Sequence, residues 1–300
     1  MSCAFHSAFC EVGKRYRDSS PTAKSTLDFR LQQCQCRATE TGMIGAIAGD
    51  IIGSVHEFLG QKSRDFPLFV HNSRFTDDTV LSIAVADCLL TGSPYADTFR
   101  AYARKYPDRC YGVAFWHWVC SDSRDPYNSW GNGSAMRVNP LAYAFQTLED
   151  VLKAAKASAE VTHNHPEGIR GAQAAAVATF LARQGKTKSQ IRDEIENRFG
   201  YDLSRTTEMI RRTYKFNESC QETVPQAITA FLDADSYEDA VRLAVSLGGD
   251  ADTLACIAGG IAGAFYGVPR HISTRALALL DEELRKTVTS FCETYAISLP

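Results

Sequence analysis

The sequence predicts an all-α, multihelical domain that runs from about Met43 to the end of the chain. Apolar residues recur with the spacing of one helix face in at least nine segments. Many of these segments follow a Ser, Thr or Pro and end at a Gly, as helices do. No segment shows a convincing alternation of apolar and polar residues, which a half-buried strand would require.

The first predicted helix contains a row of small residues. Gly45, Gly49, Gly53 and Glu57 are spaced four apart, so they lie on one face of a helix. Three glycines cost a helix about 1 kcal/mol each relative to alanine, and a close approach by another backbone would justify that cost. The row would then direct Glu57 toward the same partner. A tight helix contact with Glu57 at its solvated end is the simpler alternative.

Capping residues delimit the helices that follow. Thr76 precedes a helix that ends before Gly92, Pro94 opens the next, and Thr187 and Gly200 bound a later one. Residues 111–130 are interpreted as aromatic and polar turns. The predicted ranges are 77–90, a helix opened by Pro94, 147–159, 166–183, 189–199, 223–231, 237–247, 253–265 and 274–294.

Composition excludes several classes of protein. The chain has 300 residues, is 45% hydrophobic and 22% charged, and carries a net charge of -3. That charge gives no reason to expect nonspecific binding to nucleic acid or to an anionic membrane. No apolar run is long enough to span a bilayer. The ten cysteines are scattered, without Cys-x-x-Cys and without a secretory signal, which predicts a cytoplasmic protein with reduced cysteines, most of them in the core.

Residues 1–42 differ from the rest of the chain. They contain six Lys or Arg residues against four acids and show no clear apolar period. We predict a flexible N-terminal extension, followed by one domain at 43–300. The acids argue against a transit peptide. An alternative is that Met43 is the natural start and that the first segment is translated upstream sequence.

Two clusters of oxygen-bearing side chains stand at predicted helix starts far apart in the chain. The clusters are Thr76-Asp77-Asp78 and Asp250-Ala251-Asp252-Thr253. If they converge, their four carboxylates need compensating cations, because an unpaired buried carboxylate is costly. Mg²⁺ or Mn²⁺ fits these oxygen donors, and the absence of Cys and His from the clusters argues against zinc. Two independent helix caps are the alternative.

Two further segments offer groups that could contact a ligand. Residues 129–134, with the sequence Ser-Trp-Gly-Asn-Gly-Ser, present several backbone N–H groups that suit a diphosphate, and Trp130 could stack on a ring. A plain turn is the alternative. His163 and His165 could be metal ligands, or could position or stack on a substrate ring, or could be structural histidines.

These motifs occur in an order that resembles the ADP-ribosylglycohydrolase family. The motifs are Gly45-x-x-x-Gly49-Asp50-x-x-Gly53-x-x-x-Glu57-Phe58, Phe75-Thr76-Asp77-Asp78-Thr79, residues 131–137, Thr162-His163 and Gly248-Gly249-Asp250-Ala251-Asp252-Thr253. The resemblance spans Met43 to roughly Gly267. It implies a compact all-α fold and an enzyme that removes ADP-ribose from modified side chains.

The resemblance also implies the functional residues. Two Mg²⁺ or Mn²⁺ ions would be held by Thr76, Asp77, Asp78, Asp250, Asp252 and Thr253. Asp252 would bridge them, and Glu57 would be a gate or proton acceptor, so that Glu57, Asp77, Asp78 and Asp252 form the catalytic set. ADP-ribose would contact Ser129, Trp130, Gly131, Asn132, Gly133, Ser134 and His163. Ala251 departs from some members, which have Ser, Thr or Asn there, but it lies between ligands.

The expected partner is an ADP-ribosylated protein, with arginine as the first choice of acceptor and serine or nucleic acid left open. Some relatives with an added N-terminal segment are immunity proteins, so residues 1–42 could also block a cognate ADP-ribosyltransferase toxin. A homologue that only binds ADP-ribose is disfavoured, because all six ligand positions are filled.

Overall fold

The computed structural model describes residues 42–299, and within that range it confirms the all-α prediction. The helices are α1 (Ile44–Gly53), α2 (Asp77–Thr91), α3 (Tyr95–Lys105), α4 (Val113–Cys120), α5 (Leu141–Ala144), α6 (Leu148–Glu160), α7 (Pro166–Arg183), α8 (Lys188–Phe199), α9 (Thr207–Arg211), α10 (Cys220–Asp233), α11 (Tyr237–Val245), α12 (Ala251–Tyr266), α13 (Arg270–Leu279) and α14 (Glu282–Thr294). No strand occurs among these residues, which contain only an isolated bridge between Gly131 and Ser219.

The centre of the fold is the pair α1 and α12, which pack backbone against backbone. A Cβ added to Gly49 would lie 2.0 Å from the carbonyl oxygen of Ala255, and one added to Gly45 would lie 2.5 Å from that of Gly259. The buried hydroxyl of Tyr237 donates to the carbonyl oxygen of Gly45 at 2.8 Å. The glycine row therefore has the close backbone partner that the sequence predicts.

Other helices surround this pair. Helix α12 also packs against α7, α10 and α11, while α2 packs against α3 and α14. Helices α1 and α12 are almost entirely buried, so their surfaces are apolar on nearly all sides. The polar residues that these two helices do bury lie at one end of the pair, where the acidic clusters meet.

Several predicted helix ends are confirmed. The Thr76 hydroxyl caps α2 by accepting from the N–H of Asp78, and Gly92 ends that helix in the left-handed region, with φ 73°. Thr187 and Gln190 form a capping box at the start of α8. These ends follow from local chemistry, since each satisfies a backbone group that the helix leaves unpaired.

Other predicted boundaries were wrong. Residues 113–120 form helix α4 rather than turns, because burying Phe115 and Trp118 stabilises a helix in this aromatic stretch. The predicted helix at 274–294 is two helices, since Leu280 is extended and the Asp281 side chain caps α14 by accepting from the N–H of Leu284.

Two further boundaries differ from the prediction. Helix α10 begins at Cys220, so Pro225 lies inside it rather than in its first turn. The carbonyl oxygen of Ser219 accepts from the N–H of Thr223, which places the first turn earlier. Helix α1 ends at Gly53, and Glu57 follows in a turn rather than on the helix.

The composition-based expectations are met in part. The six cysteines within residues 42–299 are all free, and four of them are buried: Cys88, Cys220, Cys256 and Cys292. No helix in this range is long and apolar enough to cross a membrane. The predicted extension, residues 1–42, lies outside the described part of the chain apart from Gly42.

Candidate active site

The two acidic clusters converge at the starts of α2 and α12. The Thr253 hydroxyl donates to Oδ2 of Asp78 at 3.3 Å across 175 positions of sequence. Carboxylate oxygens of Glu57, Asp250 and Asp252 all lie within 4.8 Å of one another. With Asp77 they line a cavity of about 490 Å³. The two clusters therefore lie together at one site, although Thr76 also caps α2.

Asp50 is a buried carboxylate that holds the start of α2 against α1. Its Oδ2 accepts from the backbone N–H groups of Thr76 and Thr79 at 3.0 and 3.2 Å and from the Thr79 hydroxyl, and its Oδ1 accepts from the Thr76 hydroxyl at 2.7 Å. The four hydrogen bonds that the Asp50 carboxylate accepts fix the loop that carries Asp77 and Asp78. Asp50 is thus a structural anchor for the predicted ligands.

Burial dominates the electrostatics of this cluster. It raises the pKa values of Asp77, Asp78 and Asp252 well above their usual range, and neighbouring carboxylates, Asp50 or Asp250 first, raise them further. Burial followed by the charge of Asp250 raises the pKa of Glu57 to about 7. Burial also raises the pKa of Asp50 to about 6, although its four hydrogen bonds oppose the shift. Without a cation, the site therefore favours the protonated, neutral forms of these carboxylates.

The donor set fits a hard divalent cation. Oδ1 of Asp78 is buried and has no hydrogen-bond partner among the described residues. The converging donors are carboxylate and hydroxyl oxygens, which Mg²⁺ and Mn²⁺ prefer. The Cys256 thiol also lies beside Asp78, and its Sγ donates to the carbonyl oxygen of Met136 at 3.4 Å. A cation would neutralise charge that the protein itself leaves uncompensated.

Asn132 links the glycine-rich bend to the acidic cluster. Its Nδ2 donates to Oδ2 of Asp250 at 2.7 Å and to the Thr223 hydroxyl at 3.1 Å, while its backbone N–H donates to the carbonyl oxygen of Glu218 at 2.7 Å. Asn132 also lines the cavity. It therefore orients a predicted ligand in addition to forming part of the wall.

Most of the residues predicted to contact substrate or metal line this one cavity. They are Glu57, Asp77, Asp78, Ser129, Gly131, Asn132, Gly133, His163, Asp250, Asp252 and Thr253. Three predicted residues do not line it: Thr76, Trp130 and Ser134. Ser134 is fully buried and its hydroxyl donates to the carbonyl oxygen of Gly168 at 2.7 Å, whereas Trp130 is half-exposed and lies beside His165.

The glycines of the bend make room for His163. A Cβ on Gly133 would lie 3.2 Å from Nε2 of the imidazole, and one on Gly131 would lie 3.5 Å from it. His163 is buried, and its Nδ1 is paired with the Thr162 hydroxyl at 2.7 Å. Its Nε2 edge thus forms part of the glycine wall of the cavity.

Sequence reasoning missed an aromatic part of the cavity wall. Tyr111 and Phe115 stack with ring centroids 5.5 Å apart, and Tyr127 lies 5.9 Å from His163. All three of these aromatic residues line the cavity. Phe115 lies in α4, the helix that was interpreted as turns, while Tyr111 precedes that helix and Tyr127 lies in the segment that follows it. Such rings offer a flat apolar surface to a planar ligand group.

Known proteins resemble this chain in sequence and fold. The profile of a family described as ADP-ribosylglycohydrolase matches residues 37–298. ADP-ribosylhydrolase ARH3 of Bos taurus is 29% identical, with 75% of this chain and 84% of that protein covered. ADP-ribosylarginine hydrolase Tri1 of Pseudomonas putida is 26% identical, with 75% and 70% covered. A solved structure titled ADP-ribosylglycohydrolase-related protein complex matches with a TM-score of 0.62 and 25% identity, covering 86% of this chain and 99% of that one.

Proposed function

The chain belongs to the ADP-ribosylglycohydrolase family, and we propose that it hydrolyses the bond between ADP-ribose and a modified protein side chain, with arginine as the acceptor. The observation that carries the proposal is the meeting of two acidic helix starts with a glycine-rich wall around one cavity. The sugar of ADP-ribose would contact the acids and their metal ions, and the diphosphate would contact N–H donors. The purine would contact the flat aromatic rings that also line the cavity.

The residues assigned to the metal are Thr76, Asp77, Asp78, Asp250, Asp252 and Thr253, and they would hold two Mg²⁺ or Mn²⁺ ions, with Asp252 as the bridge. When bound, such ions lower the pKa of coordinated water and fix sugar hydroxyls. Asp78 is suited to this role because its buried Oδ1 has no partner within residues 42–299.

Glu57 is the proposed proton acceptor. It is only partly buried, it lies among the acids at the cavity, and its pKa is raised to about 7 by burial and by the charge of Asp250. A carboxylate with a pKa near the working pH accepts a proton most effectively. Glu57 would take a proton from the attacking water as the glycosidic bond breaks through an oxocarbenium-like transition state.

The glycine-rich bend and the aromatic rings of the cavity would bind the remainder of ADP-ribose. The glycine wall at Gly131 and Gly133 would face the diphosphate, and the imidazole of His163 stands against both glycines. The N–H groups of Gly131 and Asn132 are already paired, with Oγ of Ser129 and the carbonyl oxygen of Glu218, so the donors would come from Gly133 and the imidazole. Tyr111 and Tyr127 suit a flat ring. Ser134 would stabilise the bend without contacting the ligand, because its buried hydroxyl donates to the carbonyl oxygen of Gly168.

The choice of arginine is supported by the similarity to one relative, ADP-ribosylarginine hydrolase Tri1. Arginine-, serine- and DNA-linked ADP-ribose, each incubated with Mg²⁺, should separate the acceptors by the rate of ADP-ribose release. We expect fastest release from arginine. Faster release from serine would overturn the acceptor, and release from none of them would overturn the hydrolase assignment.

Asp252→Ala tests the site within this assay. It removes the proposed bridge, so turnover should be abolished, while the exposed Asp108→Ala should leave it unchanged. Near-normal release by Asp252→Ala, in protein with a wild-type circular dichroism spectrum, would disprove the two-metal account.

A further inference from the structure

Arg137 is a fully buried cation at the wall of the cavity. Its guanidinium donates to no carboxylate within the described range and lies 4.4 Å from the ring centroid of Phe99. Burial lowers the pKa of Arg137 to about 10, so it keeps its charge at neutral pH. A buried charge of this kind is costly, and its hydrogen bonds show what it does in the fold.

The hydrogen bonds of Arg137 lead to His163. Its Nη2 donates to the carbonyl oxygen of Ser158 at 2.7 Å and to the hydroxyl oxygen of Thr162 at 3.0 Å. The same hydroxyl is 2.7 Å from Nδ1 of His163. Because Thr162 is fully buried, Nδ1 is the acceptor available to its single hydroxyl hydrogen.

We propose that Arg137 is a positioning residue that acts through Thr162 to hold His163 as the tautomer with its proton on Nε2. The guanidinium can only donate, so the Thr162 oxygen must accept from it and can give its hydrogen to Nδ1. If Thr162 also accepted from an Nδ1–H group, its hydroxyl hydrogen would be buried without a partner.

The tautomer determines what His163 offers to the cavity. Nε2 is the nitrogen that stands against Gly131 and Gly133, so the protein presents an N–H donor on the glycine wall. Burial and then the nearby charge of Arg137 lower the pKa of His163 well below its usual range, so the ring is neutral. This step rests on the proposed function: the donor would bind an oxygen of ADP-ribose without carrying a charge.

Two substitutions at Thr162 separate the hydroxyl from the size of the side chain. Thr162→Val keeps the shape and loses the hydroxyl, whereas Thr162→Ser keeps the hydroxyl. Thr179→Val is the matched control, because the buried Thr179 hydroxyl donates only to the carbonyl oxygen of Ala175 in α7, away from the cavity. Arg137→Met removes the donor at the other end of the chain of hydrogen bonds.

The direct measurement is the tautomer of His163 in the full chain labelled with ¹⁵N-histidine, read from two-bond ¹H–¹⁵N correlations. The signal is assigned among the seven histidines by its loss in His163→Gln. We expect the Nε2–H form in wild type, Thr162→Ser and Thr179→Val, and a mixture or the Nδ1–H form in Thr162→Val and Arg137→Met. An Nδ1–H wild type, or an unchanged Thr162→Val, would overturn the proposal.

Affinity for ADP-ribose, measured by calorimetry, tests the consequence. Loss of the oriented donor should weaken binding about tenfold in Thr162→Val, the scale of one hydrogen bond, and leave Thr162→Ser and Thr179→Val unchanged. Unchanged affinity in Thr162→Val would disprove the role of the tautomer in binding. The tautomer is measured in the absence of substrate. If the wild-type protein holds the Nε2–H form but hydrolyses no ADP-ribose linkage, the proposed function is wrong and the proposed positioning of His163 is not affected. If Arg137→Met does not fold, the Thr162 pair still decides the question.

Discussion

Gly49 and Ala255 are in contact through their backbones, and this contact helps to position the acidic cluster. A Cβ on Gly49 would lie 2.0 Å from the Ala255 carbonyl oxygen, a separation that no side chain can occupy. The same approach continues at Gly53, whose Cβ would lie 2.4 Å from the carbonyl oxygen of Ala251. Helices α1 and α12 are thereby drawn together at the end where Glu57 faces Asp250 and Asp252.

Gly49→Ala should therefore destabilise the protein. Helix propensity alone favours alanine by about 1 kcal/mol, but overpacking against a backbone that cannot move aside should outweigh it by about 2 kcal/mol or more. Urea unfolding measures the difference. Gly112→Ala is the control, because nothing lies within 4 Å of the added Cβ. A stable Gly49→Ala variant would show that the two helices can separate without loss.

The second prediction concerns Asp50, whose carboxylate holds the loop before α2. Asp50→Ala leaves the hydroxyls and backbone N–H groups of Thr76 and Thr79 without their acceptor, and each buried unpaired group costs about 1–3 kcal/mol. Asp50→Asn keeps one acceptor oxygen. We expect a loss of Mg²⁺ affinity and of stability that is larger for Ala than for Asn. Equal effects in the two variants would mean that charge, and not hydrogen bonding, is what Asp50 contributes.

The sequence predicted the parts of the site that follow from local chemistry. Thr76 and Gly92 are a cap and a stop that single residues determine, and the two acid clusters were recognisable because four carboxylates exceed what capping requires. The glycine row was recognisable by its spacing. Its partner was not, since spacing shows that a backbone comes close and does not show which one.

The parts that were missed depend on tertiary packing. Helix α4 has no capping signal, and it is stabilised by burial of Phe115 and Trp118. Asp50 was recognised only as a position in the family motif, and its role depends on Thr79, 29 positions away. The link from Arg137 through Thr162 to His163 likewise exists only once Arg137, before α5, and Thr162, after α6, are brought together across 25 positions of sequence.

Glu57→Gln tests the proposed proton acceptor. The amide keeps the size of the side chain but cannot take a proton, so kcat should fall about 10²–10⁴-fold while ADP-ribose affinity changes little. Glu222→Gln is a matched control, since that side chain is exposed on α10. A fall in affinity with unchanged kcat would instead assign Glu57 to binding.

The acidic cluster predicts how the stability of the metal-free protein depends on pH. The folded-state pKa of Glu57 is about 7 against an ordinary value of 4.5, and those of Asp77, Asp78 and Asp252 are also raised by burial. The native state then binds more protons than the unfolded state, so the free energy of unfolding should fall as pH rises from about 5 to 8. Saturating Mg²⁺ should remove this fall, because the ion binds the deprotonated acids, and its binding near pH 6.5 should release protons.

Thermal melts across this pH range, with EDTA and with Mg²⁺, measure the effect as a difference between two curves. Groups away from the cluster contribute equally to both curves, so the difference isolates the carboxylates. Glu57→Gln should reduce the slope of the metal-free curve, since it removes one of the shifted groups. Parallel curves with and without Mg²⁺ would show that the buried acids do not hold the ion, because a bound cation must favour their charged forms.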